Sequence, residues 1–104
     1  MYIFVDDERF PVNDGRNWII VRTMSEFINL ITNSNDKIEY ISFDHDLGNN
    51  EPTGMDITKW LVEYDMDHNI ISNDFDYFVH SQNPVGKMNI ESYLNNYIKY
   101  KKTT

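Results

Sequence analysis

Four separate apolar segments of this chain each end in side chains that can do chemistry. An acidic pair follows the first segment, an arginine the second, an Asp-His-Asp triplet the third and a His-Ser pair the fourth. The residues are Asp6, Asp7, Arg22, Asp44, His45, Asp46, His80 and Ser81. Carboxylates bind hard divalent cations, histidine moves protons near neutral pH, and arginine binds phosphate oxygens. Brought together, these residue types predict chemistry on a phosphate group.

The apolar segments have the length of buried strands, and amphipathic helical patterns separate most of them. We predict strands at residues 2–5, 18–22, 38–43 and 75–80, and helices at about residues 24–34, 54–67 and 84–99. This alternation predicts an α/β fold with a mostly parallel sheet of about four strands. Continuous apolar strands are typical of a sheet that is covered on both faces. Because the carboxyl ends of parallel strands line one crevice, the polar residues are expected to meet there.

The three predicted helices begin with capping signals. Thr23 and Thr53 are each followed three residues later by an acid, which is the capping-box pattern. Asn83 is a good N-cap residue, and Pro84 suits the first helical position, with Gly86 in the first turn. These signals predict where the helices begin. They also give Asn83 and Gly86 a structural explanation besides a role in binding.

The connection between the first two strands lacks a helical pattern. It covers residues 8–17 and contains the turn dipeptide Asp14-Gly15. A parallel crossover normally needs a dozen residues or more and a helix. Two alternatives therefore remain for this region: a short irregular crossover, or a second strand that runs antiparallel at the edge of the sheet.

Composition limits the class of protein. The 104 residues suit a single domain spanning residues 1–104, and the net charge of −8 opposes attachment to duplex DNA or RNA. The chain has no cysteine, no basic leader and no apolar run long enough for a bilayer, so we expect a cytoplasmic protein without membrane attachment. It lacks alanine and is rich in Asn, Ile, Asp and Tyr. This suggests an AT-rich genome, such as that of a phage or a low-GC bacterium.

Carboxylates that share one crevice repel one another unless a cation lies among them. Mg²⁺ or Mn²⁺ would balance this charge because both take oxygen ligands, and Arg9 and Arg22 would then bind phosphate oxygens. Each feature alone also has a simpler explanation. Asp6-Asp7 suits a solvated turn, and His80 suits a histidine packed in the core. It is the convergence of four strand ends that favours a site.

Five ordered motifs resemble the cyclic-phosphate-processing receiver-like domains, which are relatives of the response-regulator receiver domains. They are FVDDERFP (residues 4–11), VRT (21–23), SFDHDLG (42–48), TGMDITKWL (53–61) and HSQNPVG (80–86). The resemblance implies a flavodoxin-like, receiver-type domain in which the acidic pair Asp6 and Asp7 binds Mg²⁺. It also implies that Asp44 or Asp46 matches the phosphoryl-accepting aspartate, and that Ser81 matches the hydroxyl of the receiver switch.

The chain departs from ordinary receivers in three respects. Residues 8–17 replace the first helix, only four strands are evident, and no lysine ends a fifth strand. Phosphorelay signalling is therefore not expected. The histidines His45 and His80 suit hydrolysis, because histidine transfers protons near neutral pH.

These observations predict a metal-assisted phosphoesterase that opens or hydrolyses a cyclic phosphate, either at an RNA end or in a small cyclic nucleotide. The expected ligands of Mg²⁺ or Mn²⁺ are Asp6, Asp7 and Asp44. The expected catalytic residues are His80 as base and His45 as acid, with Asp46 or Asp44 as an alternative nucleophile. The expected substrate-binding residues are Arg9, Arg22, Ser81, Asn83 and Gly86.

Two other functions remain open. One is a receiver-like module that binds a nucleotide or a phosphorylated ligand without turnover, and the other is a domain that acts only through contacts with a protein partner. The sequence does not determine the substrate, the metal or the oligomeric state. It also leaves open whether Asp44 or Asp46 faces the crevice, since a strand that is already turning breaks the alternation of side chains.

Overall fold

The structure is a computed structural model that describes residues 1–103. It contains seven elements of secondary structure. In chain order they are β1 (Tyr2–Val5), β2 (Trp18–Val21), α1 (Met24–Thr32), β3 (Ile38–Phe43), α2 (Gly54–His68), β4 (Ile71–Val79) and α3 (Pro84–Thr103). The strands form a sheet in the order β2-β1-β3-β4, and every neighbouring pair is parallel. The predicted flavodoxin/receiver-like α/β fold is therefore confirmed. None of the helices described is long and apolar enough to cross a bilayer.

Two elements are longer than predicted. β4 begins at Ile71 rather than at residue 75, and α3 continues to Thr103 rather than ending at residue 99. The start of β4 pairs Ile71 with Ile38, and the register then shifts before Tyr40 meets Asp76. The first residues of β4 are largely polar, so the apolar pattern did not indicate a strand there. The other ends agree with the prediction within two residues.

A short irregular crossover joins β1 to β2, so the first of the two alternatives is correct. β2 lies at the edge of the sheet and is parallel to β1. The Asp6 carboxylate caps the first turn of the connection, and Gly15 supplies a positive φ of 83° in a later turn. The Asp14 carboxylate accepts hydrogen bonds from Arg16 N and Trp18 Nε1, which fixes the chain as it enters β2.

All three helices pack on one face of the sheet. The core on that face includes Ile3, Val5, Ile41, Phe43, Val79, Phe27, Leu61, Ile90 and Leu94. Right-handed crossovers from β2 to β3 and from β3 to β4 move in the same direction across the sheet, so α1 and α2 lie on the same side. The connection from β1 to β2 moves in the opposite direction, where a helix would cover the other face, and it has none. The expectation of a sheet covered on both faces is wrong for this reason.

The other face of the sheet, here called the open face, carries mainly aromatic side chains. The strand registers place on it Tyr2, Phe4, Trp18, Ile20, Tyr40, Ser42, Asp76 and Phe78. The rings of Tyr2, Trp18 and Tyr40 contact one another, with centroid separations of 5.8 to 6.3 Å. Side chains from residues 8–17 lie over part of this face, and Phe78 remains 53% exposed.

A buried carboxylate ties α2 to β4 and α3. Asp65 accepts hydrogen bonds from Ile71 N at 2.7 Å, Tyr97 Oη at 2.5 Å and Lys101 Nζ at 2.7 Å. Burial alone would raise the pKa of Asp65, but the bonds from Lys101, Tyr97 and Ile71 outweigh it and lower that pKa. Burial and the bond to Asp65 raise the pKa of Tyr97. This cluster therefore fixes the position of α3 against α2.

Asp65→Ala should lower the free energy of unfolding by about 3–5 kcal/mol, because it leaves a buried hydroxyl, a buried N–H and a lysine without their shared acceptor. The matched control is Asp67→Ala, since Asp67 lies on the same helix and is exposed. Urea unfolding followed by circular dichroism measures both variants. Equal stabilities would contradict a structural role for Asp65.

Candidate functional site

An acidic crevice of about 700 Å³ opens at the carboxyl ends of β1 and β3, beside the start of α3. It is lined by Asp7, Glu8, Arg9, Asp44, Asp46, Gly48, Asn49, Ser81, Gln82 and Asn83. Six of the residues singled out from the sequence therefore meet in one cavity, as expected at the ends of parallel strands. The others lie outside this lining: Asp6, Arg22, His45, His80 and Gly86.

Asp6 is fully buried and accepts four hydrogen bonds. Oδ1 accepts from Glu8 N and Arg9 N, each at 2.9 Å, and Oδ2 accepts from Arg9 Nε at 2.8 Å and His80 Nε2 at 2.9 Å. Burial alone would raise the pKa of Asp6. The N–H groups of Arg9 and Glu8, the bond from His80 and the Arg9 charge outweigh burial and lower that pKa. Asp6 is therefore an ionised carboxylate whose lone pairs are all engaged.

The Arg9 guanidinium joins two buried carboxylates at the crevice. Nε donates to Asp6 Oδ2 at 2.8 Å, and Nη2 donates to Asp44 Oδ2 at 3.1 Å. Within residues 1–103 these bonds use two of the five guanidinium N–H groups, and the side chain is 45% exposed. Arg9 is therefore a cation placed among the carboxylates, and it has N–H groups available for a ligand in the crevice that it lines.

Asp44 and Asp46 both line the crevice, which resolves the question of which one faces it. Asp44 is buried, and its Oδ1 accepts from His45 N at 2.8 Å. Asp46 is exposed, and it contacts His45 Nδ1 at 2.9 Å through Oδ1 and Asn83 Nδ2 at 3.4 Å through Oδ2. The hydrogen bond with His45 lowers the pKa of Asp46. The two carboxylates thus reach the same cavity from different environments.

His45 packs against the first turn of α3. A Cβ atom at residue 86 would overlap the imidazole ring, so Gly86 is what allows the close approach. Asn83 caps the helix as predicted, with Oδ1 accepting from Gly86 N at 3.0 Å. Of the two ring nitrogens of His45, only Nδ1 is hydrogen-bonded within residues 1–103. Nε2 is therefore available to exchange a proton.

His80 is held at both ring nitrogens. Nε2 bonds Asp6 Oδ2 at 2.9 Å, Nδ1 bonds Ser42 Oγ at 2.7 Å, and the ring stacks on Phe4 with centroids 4.8 Å apart. Because a carboxylate only accepts, this network assigns the proton to Nε2, and the Ser42 hydroxyl donates to Nδ1. Sequence reasoning missed Ser42, although a small polar residue interrupts an apolar run there. In this position His80 supports Asp6, and its role as a base stays a prediction.

Arg22 holds the connection between β1 and β2. Its Nη1 donates to Asp6 O at 3.0 Å and to Arg9 O at 2.5 Å, and its guanidinium lies 4.8 Å from the centroid of the Phe10 ring. These bonds fix the backbone that carries Asp6 and Arg9. Arg22 therefore affects the crevice indirectly, by holding the backbone of Asp6 and Arg9. Its direct contact with phosphate stays a prediction.

The start of α3 brings polar donors to the crevice. Ser81 Oγ accepts from Asn83 N at 3.0 Å, which leaves the hydroxyl proton to donate elsewhere. The N-terminus of a helix also carries a partial positive charge that attracts anions. Sequence reasoning did not single out the remaining lining residues, because exposed polar residues in loops form no pattern. These are Glu8, Gly48, Asn49 and Gln82.

The residues in this arrangement do not fit a divalent cation. Within residues 1–103 one group of ligand atoms is close enough to share an ion, and it comes from Asp6, Asp44 and His80, all within 4.8 Å of one another. Asp6 and His80 bond each other, however, and Arg9 bridges Asp6 to Asp44. A cation there would meet the guanidinium charge and find no free lone pair on Asp6. Asp7, a predicted metal ligand, does not belong to this group and is exposed.

Arg9→Met should turn this group into a cation site, because it removes the guanidinium and leaves the carboxylates of Asp6 and Asp44 uncompensated. We expect Mn²⁺ to raise the melting temperature of the variant and not that of the unaltered protein. Thermal unfolding with and without Mn²⁺ measures this. Lys59→Met, which removes an exposed cation on α2, is the control. An equal rise in the unaltered protein would show that the guanidinium and the ion do not compete.

Acid should destabilise the fold through Asp6. Because the folded state lowers the pKa of Asp6, its ionised form contributes stability above the unfolded pKa of about 3.9. That contribution is lost as the pH falls through the folded pKa. Asp6→Asn should therefore flatten the loss of stability in acid, as measured by urea unfolding across about pH 2 to 6. Asp7→Asn, at the exposed neighbour, is the control, and equal slopes in both variants would refute the assignment.

Comparison with known proteins identifies a family whose model covers nearly the whole of the chain. The family model of the cyclic-phosphate processing receiver domain matches residues 1–96, which include all four strands and every residue that lines the crevice. Comparisons with curated proteins and with solved structures gave no match. The family inferred from the five motifs is thereby confirmed. This chain belongs to the cyclic-phosphate-processing receiver domain family.

Proposed function

We propose that this domain binds the cyclic phosphodiester of a nucleotide in the acidic crevice and hydrolyses it to a phosphomonoester. The observation that carries the proposal is the Arg9 guanidinium, which two buried carboxylates hold at the wall of the crevice. Because Arg9 is already fixed, little conformational freedom is lost when it binds a phosphate oxygen. Membership of the family supports a cyclic phosphate as the ligand.

The charge of the crevice favours a cyclic ester over its product. Asp7, Glu8 and Asp46 are exposed acids in the lining, against the single guanidinium of Arg9. A cyclic phosphodiester carries one negative charge, whereas a phosphomonoester carries about 1.5 to 2 at neutral pH. The acidic wall therefore repels the product more strongly than the substrate, which favours release after hydrolysis. It also opposes the entry of a polynucleotide with several phosphates.

Hydrolysis needs a base for the attacking water and a proton for the leaving oxygen. His45 is proposed as the base: it lies just behind the crevice lining and bonds through Nδ1 to Asp46, which lines the crevice, and its Nε2 is left to accept a proton. Water attacks the phosphorus, its proton passes to His45, the endocyclic P–O bond breaks, and the leaving ribose oxygen takes a proton from solvent. Arg9 and the Ser81 hydroxyl stabilise the charge on the non-bridging oxygens. His45 then returns its proton to solvent.

This proposal changes three roles predicted from the sequence, and the first is that of His45, which was predicted as the acid and becomes the base. His80, predicted as the base, supports Asp6 instead, because both of its nitrogens are already bonded. The positive charge predicted to come from Mg²⁺ or Mn²⁺ comes from Arg9, which lies between Asp6 and Asp44. The base and the positive charge are therefore both assigned to side chains of this chain, and solvent supplies the proton for the leaving oxygen.

Binding without turnover is the alternative function. One observation favours it: Gly86 packs against His45 so closely that the ring has a structural role as well. If His45 only fills the space between Asp46 and α3, no free histidine serves the crevice within residues 1–103, and a cyclic nucleotide would bind and leave unchanged.

The unaltered protein should hydrolyse adenosine 2′,3′-cyclic phosphate, and His45→Gln should lower kcat/KM by about 10²- to 10⁴-fold, the usual contribution of a positioned base. Phosphorus NMR follows the reaction, since the cyclic and opened esters have separate resonances. His68→Gln is the matched control, because His68 is exposed at the end of α2.

Three outcomes distinguish the candidates. Turnover that depends on His45 and not on His68 supports the hydrolase. Tight binding with the cyclic nucleotide recovered intact favours the binding module. Full activity of His45→Gln would refute the assignment of the base.

A further inference from the structure

A second cavity, of about 340 Å³, lies on the open face beside the acidic crevice. This cavity, here called the aromatic pocket, is lined by the rings of Phe4, Phe10, Trp18, Tyr40 and Phe78. Arg9 lines both cavities. His80 lines the aromatic pocket, while its neighbour Ser81 lines the crevice. A ligand bound in one cavity can therefore extend into the other.

We propose that the aromatic pocket binds the nucleobase of a mononucleotide whose cyclic phosphate lies in the acidic crevice. This inference rests on the proposed function and names its class of substrate, a nucleoside cyclic monophosphate rather than an RNA chain. A cavity of about 340 Å³ falls within the range of sites for small molecules. The flat faces of a base stack on aromatic side chains, which this pocket supplies.

The rings of the open face already hold one planar group. The Arg16 guanidinium carbon lies 5.4 Å from the ring centroid of Tyr2, 5.7 Å from that of Trp18 and 4.8 Å from that of Tyr40. Arg16 is exposed, and its guanidinium makes cation–π contacts with these rings; guanidinium planes are also surfaces on which bases stack. A base in the pocket therefore has two kinds of stacking partner, the Arg16 plane and the Phe78 ring, which is 53% exposed.

The arginine charge of the chain is concentrated at this pocket. Arg9 and Arg16 line it, and Arg22, the only other arginine in the sequence, stacks on Phe10, which also lines it. The whole chain nevertheless has a net charge of −8. Arg9 and Arg16 pair with carboxylates, so the pocket suits an uncharged base next to one phosphate, whereas further phosphates would meet an acidic surface.

Polar groups in the pocket suit the edge of a base. Asp14 and Ser42 line it together with the rings, and their oxygens can accept hydrogen bonds from base amino groups. An uncovered face that packs against a helix or a second copy of the chain is expected to be more uniformly apolar at its centre. The mixture of rings, arginines and oxygens therefore favours a nucleoside as the occupant.

Calorimetric titration with three probes tests the pocket separately from the crevice. Adenosine carries the base alone, glycerol 1,2-cyclic phosphate carries the cyclic ester alone, and adenosine 2′,3′-cyclic phosphate carries both. The last probe is titrated into the full-length His45→Gln variant so that it stays intact. We expect the complete nucleotide to bind about tenfold or more tightly than the glycerol ester, as base–aromatic stacking allows.

Phe78→Ala should weaken the binding of adenosine and of the nucleotide by about tenfold and leave binding of the glycerol ester unchanged. Tyr100→Ala is the matched control. Tyr100 is 57% exposed, close to the 53% of Phe78, and it lies on α3 outside the pocket. Neither substitution removes a core side chain, so both proteins should remain folded.

The outcomes separate this proposal from the proposed function. If the nucleotide and the glycerol ester bind equally and Phe78→Ala changes neither, the base site is wrong and the crevice stands. If adenosine binds in a manner that depends on Phe78 while no cyclic ester binds, the base site stands and the proposed function fails. If sedimentation shows a dimer that Phe78→Ala dissociates, the open face is an interface between copies, which overturns the base site.

Discussion

The burial of the Asp6 carboxylate governs the arrangement of the site. A buried charge is costly unless its lone pairs are engaged and an opposite charge lies nearby. Asp6 meets this requirement with donors from two parts of the chain: the backbone and the Arg9 side chain in the turn after β1, and His80 after β4. The path of residues 8–17, the inward direction of Arg9 and the tautomer of His80 all follow from that requirement.

Local signals were enough to predict the elements, because capping and apolar spacing act within a few residues; Thr53, for example, forms its capping box as predicted. The site depends on longer-range information, part of which lies in strand alternation. Phe4, Ser42 and Phe78 point to the open face. Two positions after them, in the same order, come Asp6, Asp44 and His80, whose ligand atoms lie within 4.8 Å of one another. The alternation of side chains along the strand thus directs Asp6 and Asp7 to opposite sides, and Asp6 is buried whereas Asp7 is exposed. It cannot place Arg9, whose direction depends on Asp44, 35 residues away.

The two faces of the sheet differ in a way that total hydrophobicity conceals. In β1 the helix-covered face carries the aliphatic Ile3 and Val5, whereas the open face carries the aromatic Tyr2 and Phe4; β3 differs, because its Phe43 is buried on the helix-covered face. Both kinds of residue count as apolar, so the strands resembled segments buried on two sides. Rings packed against one another and against Arg16 can cover a sheet without a helix. In β1 the alternation of aromatic and aliphatic residues therefore matches what covers each face.

The parallel order of the strands also has a consequence for folding. Every strand pairing joins distant parts of the chain, and the bond between Asp6 and His80 spans 74 residues. Loop-closure entropy must be overcome before such contacts form, and topologies of this kind fold more slowly than helical ones. An intermediate that has paired β1, β2 and β3 but not β4 leaves Asp6 without its bond from His80. The crevice is therefore complete only after the last strand has docked, because Ser81, Gln82 and Asn83, which follow β4, form part of its lining.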